Sequence, residues 1–204
     1  MSIDLFENSD SVYQLDLPDA DISYYPCFID LDQADHYLAE LINDINWQQE
    51  SIVVYGQQHK VPRLSAWYAE QGRSYQYSGL KKTGLPWIPV LLELRKRISQ
   101  LCNASFNSVL ANLYRDQNDG VGWHADDEPE LGQQPVIASL SFGQNRTFQL
   151  KHNQDKNLRR SIELAHGSLL LMQGNTQHYW QHQVPKSKRS MSERVNLTFR
   201  KVNY

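Results

Sequence analysis

The sequence predicts an α+β fold in which two amphipathic helices accompany a β-sandwich or jelly roll. Three observations carry that expectation. Apolar residues recur at helical spacing in two stretches of the first half of the chain. From about Phe106 the texture changes to short apolar or alternating runs broken by turn residues. No internal repeat, low-complexity tract or Gly/Ser/Pro-rich linker divides the 204 residues, so a single domain over 1–204 is expected, with a jelly-roll core.

Taken in order, residues 1–20 are acidic and weakly patterned and read as a loose arm. Asp32 is a plausible N-cap for a first helix, with Ala34, Tyr37, Leu38, Leu41, Ile42 and Ile45 at helical spacing behind it. The run Ile52-Val53-Val54-Tyr55 ends at Gly56 and reads as a strand entering a turn. A second helix starts near Pro89, a residue tolerated in a first turn, and carries Leu91, Leu94, Ile98 and Leu101. Strands are expected over 108–114, 136–142, 147–151, 168–172 and 194–202, punctuated by Gly120, Gly122, Gly132, Gly143, Gly167 and Gly174.

Composition narrows the class. A hydrophobic fraction of 40% and a charged fraction of 21% are ordinary for a soluble globular protein. The net charge of −3 argues against nucleic-acid binding by bulk charge. Such binding would rest on local patches, for which Lys151, Lys156, Arg159 and Arg160 form one candidate and Lys186, Lys188 and Arg189 another. Solvated loop charge is the plain alternative for both. Cys27 and Cys102 are far apart and form no CxxC pattern, which fits a reducing compartment. The first residues show no secretion signal and no stretch reaches transmembrane length, so a soluble, intracellular protein is expected. It would be cytoplasmic in a bacterium and nuclear in a eukaryote, without membrane contact, and a monomer.

His124-Ala125-Asp126 is the first chemical signal. In an extended chain, positions i and i+2 project to one face, so both side chains can grip one ion. The pattern by itself is weak, since most such pairs sit in surface loops. His182 lies 58 residues further on (182 − 124), within Trp180-Gln181-His182. Two imidazoles and one carboxylate, with three positions left open, form the facial triad of non-haem iron(II) oxygenases. One carboxylate leaves the site cationic enough for an anionic cosubstrate. His178, four residues earlier, competes with His182, because both would face one side of a strand.

The last strand alternates strictly, with Arg194, Asn196, Thr198 and Arg200 on one face and Val195, Leu197 and Phe199 on the other. An ordinary surface strand would show the same pattern. Yet an arginine fork pairs with carboxylate oxygens in two bonds, which suits a dicarboxylate pocket. Asn112 and Tyr114, also two apart, offer hydrogen-bonding groups from another strand.

With these residues in view, the chain resembles the AlkB family of iron(II)- and 2-oxoglutarate-dependent dioxygenases. The resemblance is carried by Asn112-Leu113-Tyr114, by Trp123-His124-Ala125-Asp126-Asp127-Glu128-Pro129, by Ile137 through Gly143, by Trp180-Gln181-His182 and by Arg194 through Arg200. It runs from roughly Tyr55 to the C-terminus and is nearest to the eukaryotic homologues that repair DNA and RNA; residues 1–30 contribute nothing to it. It implies a double-stranded β-helix with two N-terminal helices packed on one sheet. It implies Fe(II) held by His124, Asp126 and His182, which are also the catalytic set. It implies 2-oxoglutarate held by Asn112, Tyr114, Arg194, Asn196 and Arg200, with dioxygen as the second cosubstrate. Arg194 is assigned the distal carboxylate and Arg200 the metal-side one, roles that the sequence leaves exchangeable.

The implied reaction is oxidative demethylation of 1-methyladenine and 3-methylcytosine in single- or double-stranded DNA, and in RNA, with release of formaldehyde, succinate and carbon dioxide. Methylation on the pairing edge makes these rings cationic and makes the base easier to flip. The acids Asp127 and Glu128 would favour such a ring, with Asp127 the nearer by the family pattern; a charged turn before Pro129 is the alternative. Trp67, Tyr75 and Tyr77 match the family's substrate lid, and otherwise read as core or cross-strand aromatics. Tyr55 matches an aromatic that enters a duplex behind a flipped base. Competing readings are a related oxygenase acting on RNA modifications or on protein, a jelly-roll binding module without chemistry, and a zinc hydrolase. The module would be expected to lack a triad member or the arginines, and a zinc hydrolase needs no dicarboxylate anchor.

Overall fold

Helix α1 (Leu31–Asp44) begins where the Asp30 carboxylate accepts a hydrogen bond from the Gln33 backbone N–H at 2.9 Å. The cap therefore lies two residues before the expected Asp32. Only the residue just outside the first turn can reach that N–H. Asp32 sits inside the turn instead, where its charge favours the positive end of the helix. Helix α2 (Pro89–Cys102) carries Pro89 in its first turn, as expected, and stops at Asn103 in the left-handed region with φ 47°.

The computed structural model describes residues 12–54, 56–70, 74–77 and 80–203. Its strands are β1 (Tyr13–Gln14), β2 (Asp21–Tyr25), β3 (Gln48–Val54), β4 (Gln57–Ala69), β5 (Ser74–Tyr77), β6 (Leu80–Thr83), β7 (Ser108–Tyr114), β8 (Val121–His124), β9 (Ile137–Gly143), β10 (Arg146–His152), β11 (Arg159–Leu164), β12 (Ser168–Gln173), β13 (Trp180–Val184) and β14 (Arg194–Arg200). A short helix, α3 (Thr176–Tyr179), precedes β13. The five strands expected after Phe106 are β7, β9, β10, β12 and β14; β7 keeps its expected bounds and the others differ by one or two residues at an end. Tyr13 and Gln14 pair with β2, so part of the stretch expected as a loose arm belongs to the sheet.

The strands form an antiparallel sheet of eight, in the order β1-β2-β12-β9-β14-β7-β4-β3, and one of four, β11-β10-β13-β8. A hairpin of β5 and β6 stands apart. This is a jelly roll. Its layers follow from side-chain alternation. On the large sheet Val109, Ala111, Leu113, Ala138, Leu140, Phe142, Val195, Leu197 and Phe199 cluster with Ala34, Tyr37 and Leu41 of α1 and with Leu91, Leu94 and Ile98 of α2. The opposite face packs on the small sheet through Leu110, Tyr114, Leu170 and Met172 against Phe148, Leu150, Trp180 and Val184. Both faces of the central strands β12, β9, β14 and β7 are thus covered, and each fully buried Leu, Ile or Phe contributes about 1.5–3 kcal/mol. At Gly120 a Cβ would stand 2.7 Å from the Val184 carbonyl oxygen, so only glycine lets this loop approach the end of β13.

Candidate active site

Because β14 is sandwiched, all seven of its residues are buried. Its apolar residues meet the helices, so its polar residues are forced inward, between the sheets. That settles the alternating strand as a pocket wall and not a solvated face. Arg194, Asn196, Thr198 and Arg200 line one cavity together with Asn112, Tyr114, His124, Asp126 and His182.

Pairing of β13 with β8 places His182 opposite His124, with ring centroids 4.3 Å apart. The donor atoms of His124, Asp126 and His182 all lie within 4.8 Å of one another. The His124 Nδ1 lies 2.8 Å from the Gly122 carbonyl oxygen. A carbonyl only accepts, so Nδ1 carries the proton and Nε2 is left as the lone-pair donor. His182 is buried, and Phe148 stacks on its ring at 5.1 Å. Burial, and then the nearby His124, push its pKa down to about 3, so it stays neutral and able to bind a cation. Burial would by itself raise the Asp126 carboxyl. Arg200 Nη2, 2.7 Å from its Oδ1, outweighs that and holds it below the usual carboxylate range. His178, by contrast, is exposed on α3. The segment turns helically just there, which breaks the i, i+4 equivalence a strand would have given the two histidines.

Arg194 is 1% exposed and has no carboxylate within ion-pair distance among the described residues. Its Nη2 donates to the Ser141 hydroxyl at 2.9 Å, and its guanidinium carbon lies 5.1 Å from the centre of the Tyr114 ring. Its Nε and Nη1 find no hydrogen-bond partner there. A buried cation with two open donors fits one end of a dicarboxylate. Two imidazoles and one carboxylate likewise fit iron(II), with positions left for oxygen ligands. Asn112 Oδ1 accepts from Arg63 Nε at 2.8 Å, which leaves the amide nitrogen as its free donor. Asn196 is otherwise occupied. Its Nδ2 donates to Ser139 Oγ and Leu140 O, both at 2.8 Å, and its Oδ1 accepts from Thr198. It braces the wall of the pocket.

The residues expected to read substrate are scattered. Asp127 is exposed beside the triad, and Glu128 is half-buried. Trp67 is 5% exposed in β4, in the packed layer between the sheets. Tyr75 and Tyr77 belong to β5 of the hairpin. Tyr55 lies outside the described residues. Of the basic candidates, Lys156, Arg159, Arg160, Lys186, Lys188 and Arg189 are exposed, while Lys151 places its Nζ 4.6 Å from the centre of the Trp123 ring.

Three polar residues of the site escaped the sequence. Arg63 and Gln177 stand singly in stretches without a polar period, and Arg146 falls on the apolar parity of the run that follows it, in line with Phe148 and Leu150. Arg146, 1% exposed, donates to the carbonyls of Asp116, Asp119 and Pro185 and so ties the loop before β8 to the end of β13. Ser139 and Ser141 do alternate with apolar residues, a signal of the same kind as that in β14.

Comparison with known proteins agrees with this geometry. The family model for the 2OG-Fe(II) oxygenase superfamily matches residues 21–200. The chain is 45% identical over 205 residues to mouse alpha-ketoglutarate-dependent dioxygenase alkB homolog 3, covering 95% of this chain and 71% of that protein. It is 42% identical over 180 residues to the mouse DNA oxidative demethylase ALKBH2, covering 83% of this chain and 75% of that one. Among solved structures, the one titled "The structure of OsALKBH1" superposes with a TM-score of 0.66 at 18% identity, over 94% of this chain and 100% of that one, which speaks to the fold.

Proposed function

The chain belongs to the 2OG-Fe(II) oxygenase superfamily, as an AlkB-type dioxygenase, and on that premise we propose that it removes alkyl groups oxidatively from nucleic-acid bases. Its cofactor is Fe(II), and its cosubstrates are 2-oxoglutarate and dioxygen. The observation that carries the reading is one buried cavity holding a His–Asp–His set beside a guanidinium with open donors. 1-Methyladenine and 3-methylcytosine are the proposed lesions, in single- or double-stranded DNA and in RNA. The enzyme is read as an intracellular monomer. Free Cys27 and Cys102 fit a reducing compartment, and no helix among the described residues is long and apolar enough to cross a membrane.

Bound iron, with 2-oxoglutarate and dioxygen, supplies oxidation of the N-methyl carbon, 2-oxoglutarate leaving as succinate and carbon dioxide. His124 Nε2, His182 and the second oxygen of Asp126 would hold the ion. Arg200 keeps Asp126 ionised through Oδ1 and adds positive charge for the metal-side carboxylate of the cosubstrate. Arg194 would take the far carboxylate with Nε and Nη1, while Ser141 fixes its third nitrogen. The hydroxymethyl group so formed on the base nitrogen collapses to formaldehyde and the restored base. Apolar Leu110, Phe148, Leu164 and Met172 in the cavity wall limit water there.

Formaldehyde release from methylated oligonucleotides, measured with and without Fe(II) and 2-oxoglutarate, tests the proposal. Release that depends on both is expected; none from any methylated oligonucleotide would remove the nucleic-acid reading. Asp127, exposed beside the triad, is proposed to favour cationic rings. Asp127→Asn is expected to lower kcat/KM for 3-methylcytosine up to about fivefold, the value of ~1 kcal/mol for an exposed charge pair, and to leave 3-methylthymine nearly unchanged. Equal losses on both substrates would reduce Asp127 to a turn residue.

A further inference from the structure

The backbone N–H of Asp126 is buried and donates to the side-chain oxygen of Gln177 at 2.9 Å. Gln177 belongs to α3, 51 residues further along, and is 2% exposed. A backbone N–H can only donate, so the glutamine oxygen must face it. Its amide nitrogen then turns the other way, where it meets the Met172 thioether at 3.5 Å. Sulfur is a weak acceptor, so half of this buried amide is poorly satisfied. Packing gives no reason for that arrangement, since an apolar side chain of the same length would fill the space without burying an amide. The strong hydrogen bond to Asp126 is what the glutamine provides.

We infer that Gln177 is a positioning residue of the metal site, holding the main chain at Asp126 and joining the segment of His124 and Asp126 to the segment of His182. α3 ends at Tyr179, three residues before His182 (182 − 179), so the strut is short. Asp126 is consequently held at both ends. Gln177 fixes its backbone and Arg200 fixes Oδ1, which leaves one carboxylate oxygen in one orientation. Supports of this kind matter because a ligand free to swing spends part of its binding energy on being ordered. The inference rests on the iron reading above and deepens it.

Titration of the metal-free protein with Mn(II) as the probe, followed by loss of the free-ion EPR signal, tests it without turnover. Gln177→Met keeps the length and loses the accepting oxygen; its Mn(II) affinity is expected to fall about 10–100-fold, the usual effect of removing the support of a metal ligand. Gln177→Glu keeps an oxygen that accepts from Asp126 and is expected to bind close to the wild type. The Met variant binding as tightly as the wild type, or the Glu variant losing as much as the Met variant, overturns the inference. Thermal melts of both variants confirm folding. Where the Met variant does not fold, Gln177→Asn decides, because its amide falls one carbon short; unchanged affinity there also overturns the role. Failure of the wild-type protein to bind Mn(II) would overturn the iron reading itself. Binding by the wild type with unaltered Gln177 variants would overturn only the strut.

Discussion

His182→Ala is expected to abolish metal binding and take formaldehyde release below detection, whereas His178→Ala retains both. The difference is positional. His182 is 5% exposed and stands opposite His124 across the β8–β13 pairing, within the set of donors that converge. His178 stands on the helical turn before the strand, exposed, with its ring against Tyr179. Removing one of three ligands leaves two donors on a cation that needs a fixed face, so no partial activity is expected. The alanine at 182 also opens a cavity beside Phe148, so a circular-dichroism melt must accompany the assay. Activity lost at 178 and kept at 182 would mean that the other histidine holds the metal.

Where the sequence was legible, the reason is periodicity. β14 reads correctly because each second residue faces the pocket and each other one a helix, so the burial of both faces leaves a two-letter pattern. The His124–Asp126 pair reads from its i, i+2 spacing, although β8 ends at His124 and Asp126 lies in the bend just beyond it. β4 did not read as a thirteen-residue strand, since its first four residues are exposed and polar and Pro62 and Arg63 interrupt the apolar run. The helical turn at α3 was hidden as well. Thr176 through Tyr179 has neither apolar spacing nor a side-chain cap, and only its packing under Asp126 and beside β12 explains why it is helical. Gln177 could not be found from sequence for a related reason: its partner is a backbone N–H, which leaves no residue type to search for. Trp67 fits the family's pattern by position, yet burial between the sheets gives it a packing role.

Arg194 carries the last expectation, and its sign separates function from stability. A guanidinium that is 1% exposed, with no carboxylate partner and two open donors among the described residues, is costly to the metal-free protein. Burial, with the neighbouring Arg146 guanidinium, works against its charge, as its lowered pKa reflects. Arg194→Met should therefore leave the metal-free protein as stable as before, or more stable by about 1–4 kcal/mol, the range seen when buried charges give way to well-packed apolar groups. The same change should remove 2-oxoglutarate binding. Arg194→Lys keeps the charge and loses the fork, so affinity for 2-oxoglutarate should fall by about 1–3 kcal/mol, and Mn(II) affinity should hold, since Arg194 touches no triad member. Arg200 differs in kind. It is the counter-charge of buried Asp126, and Arg200→Met should destabilise the metal-free protein by about 3–5 kcal/mol through the carboxylate left behind. Denaturant titrations of the two methionine variants, paired with calorimetric titration of 2-oxoglutarate into the metal-loaded protein, read both effects. An Arg194→Met variant that is strongly destabilised yet binds 2-oxoglutarate normally would make Arg194 a structural cation and place the far carboxylate elsewhere.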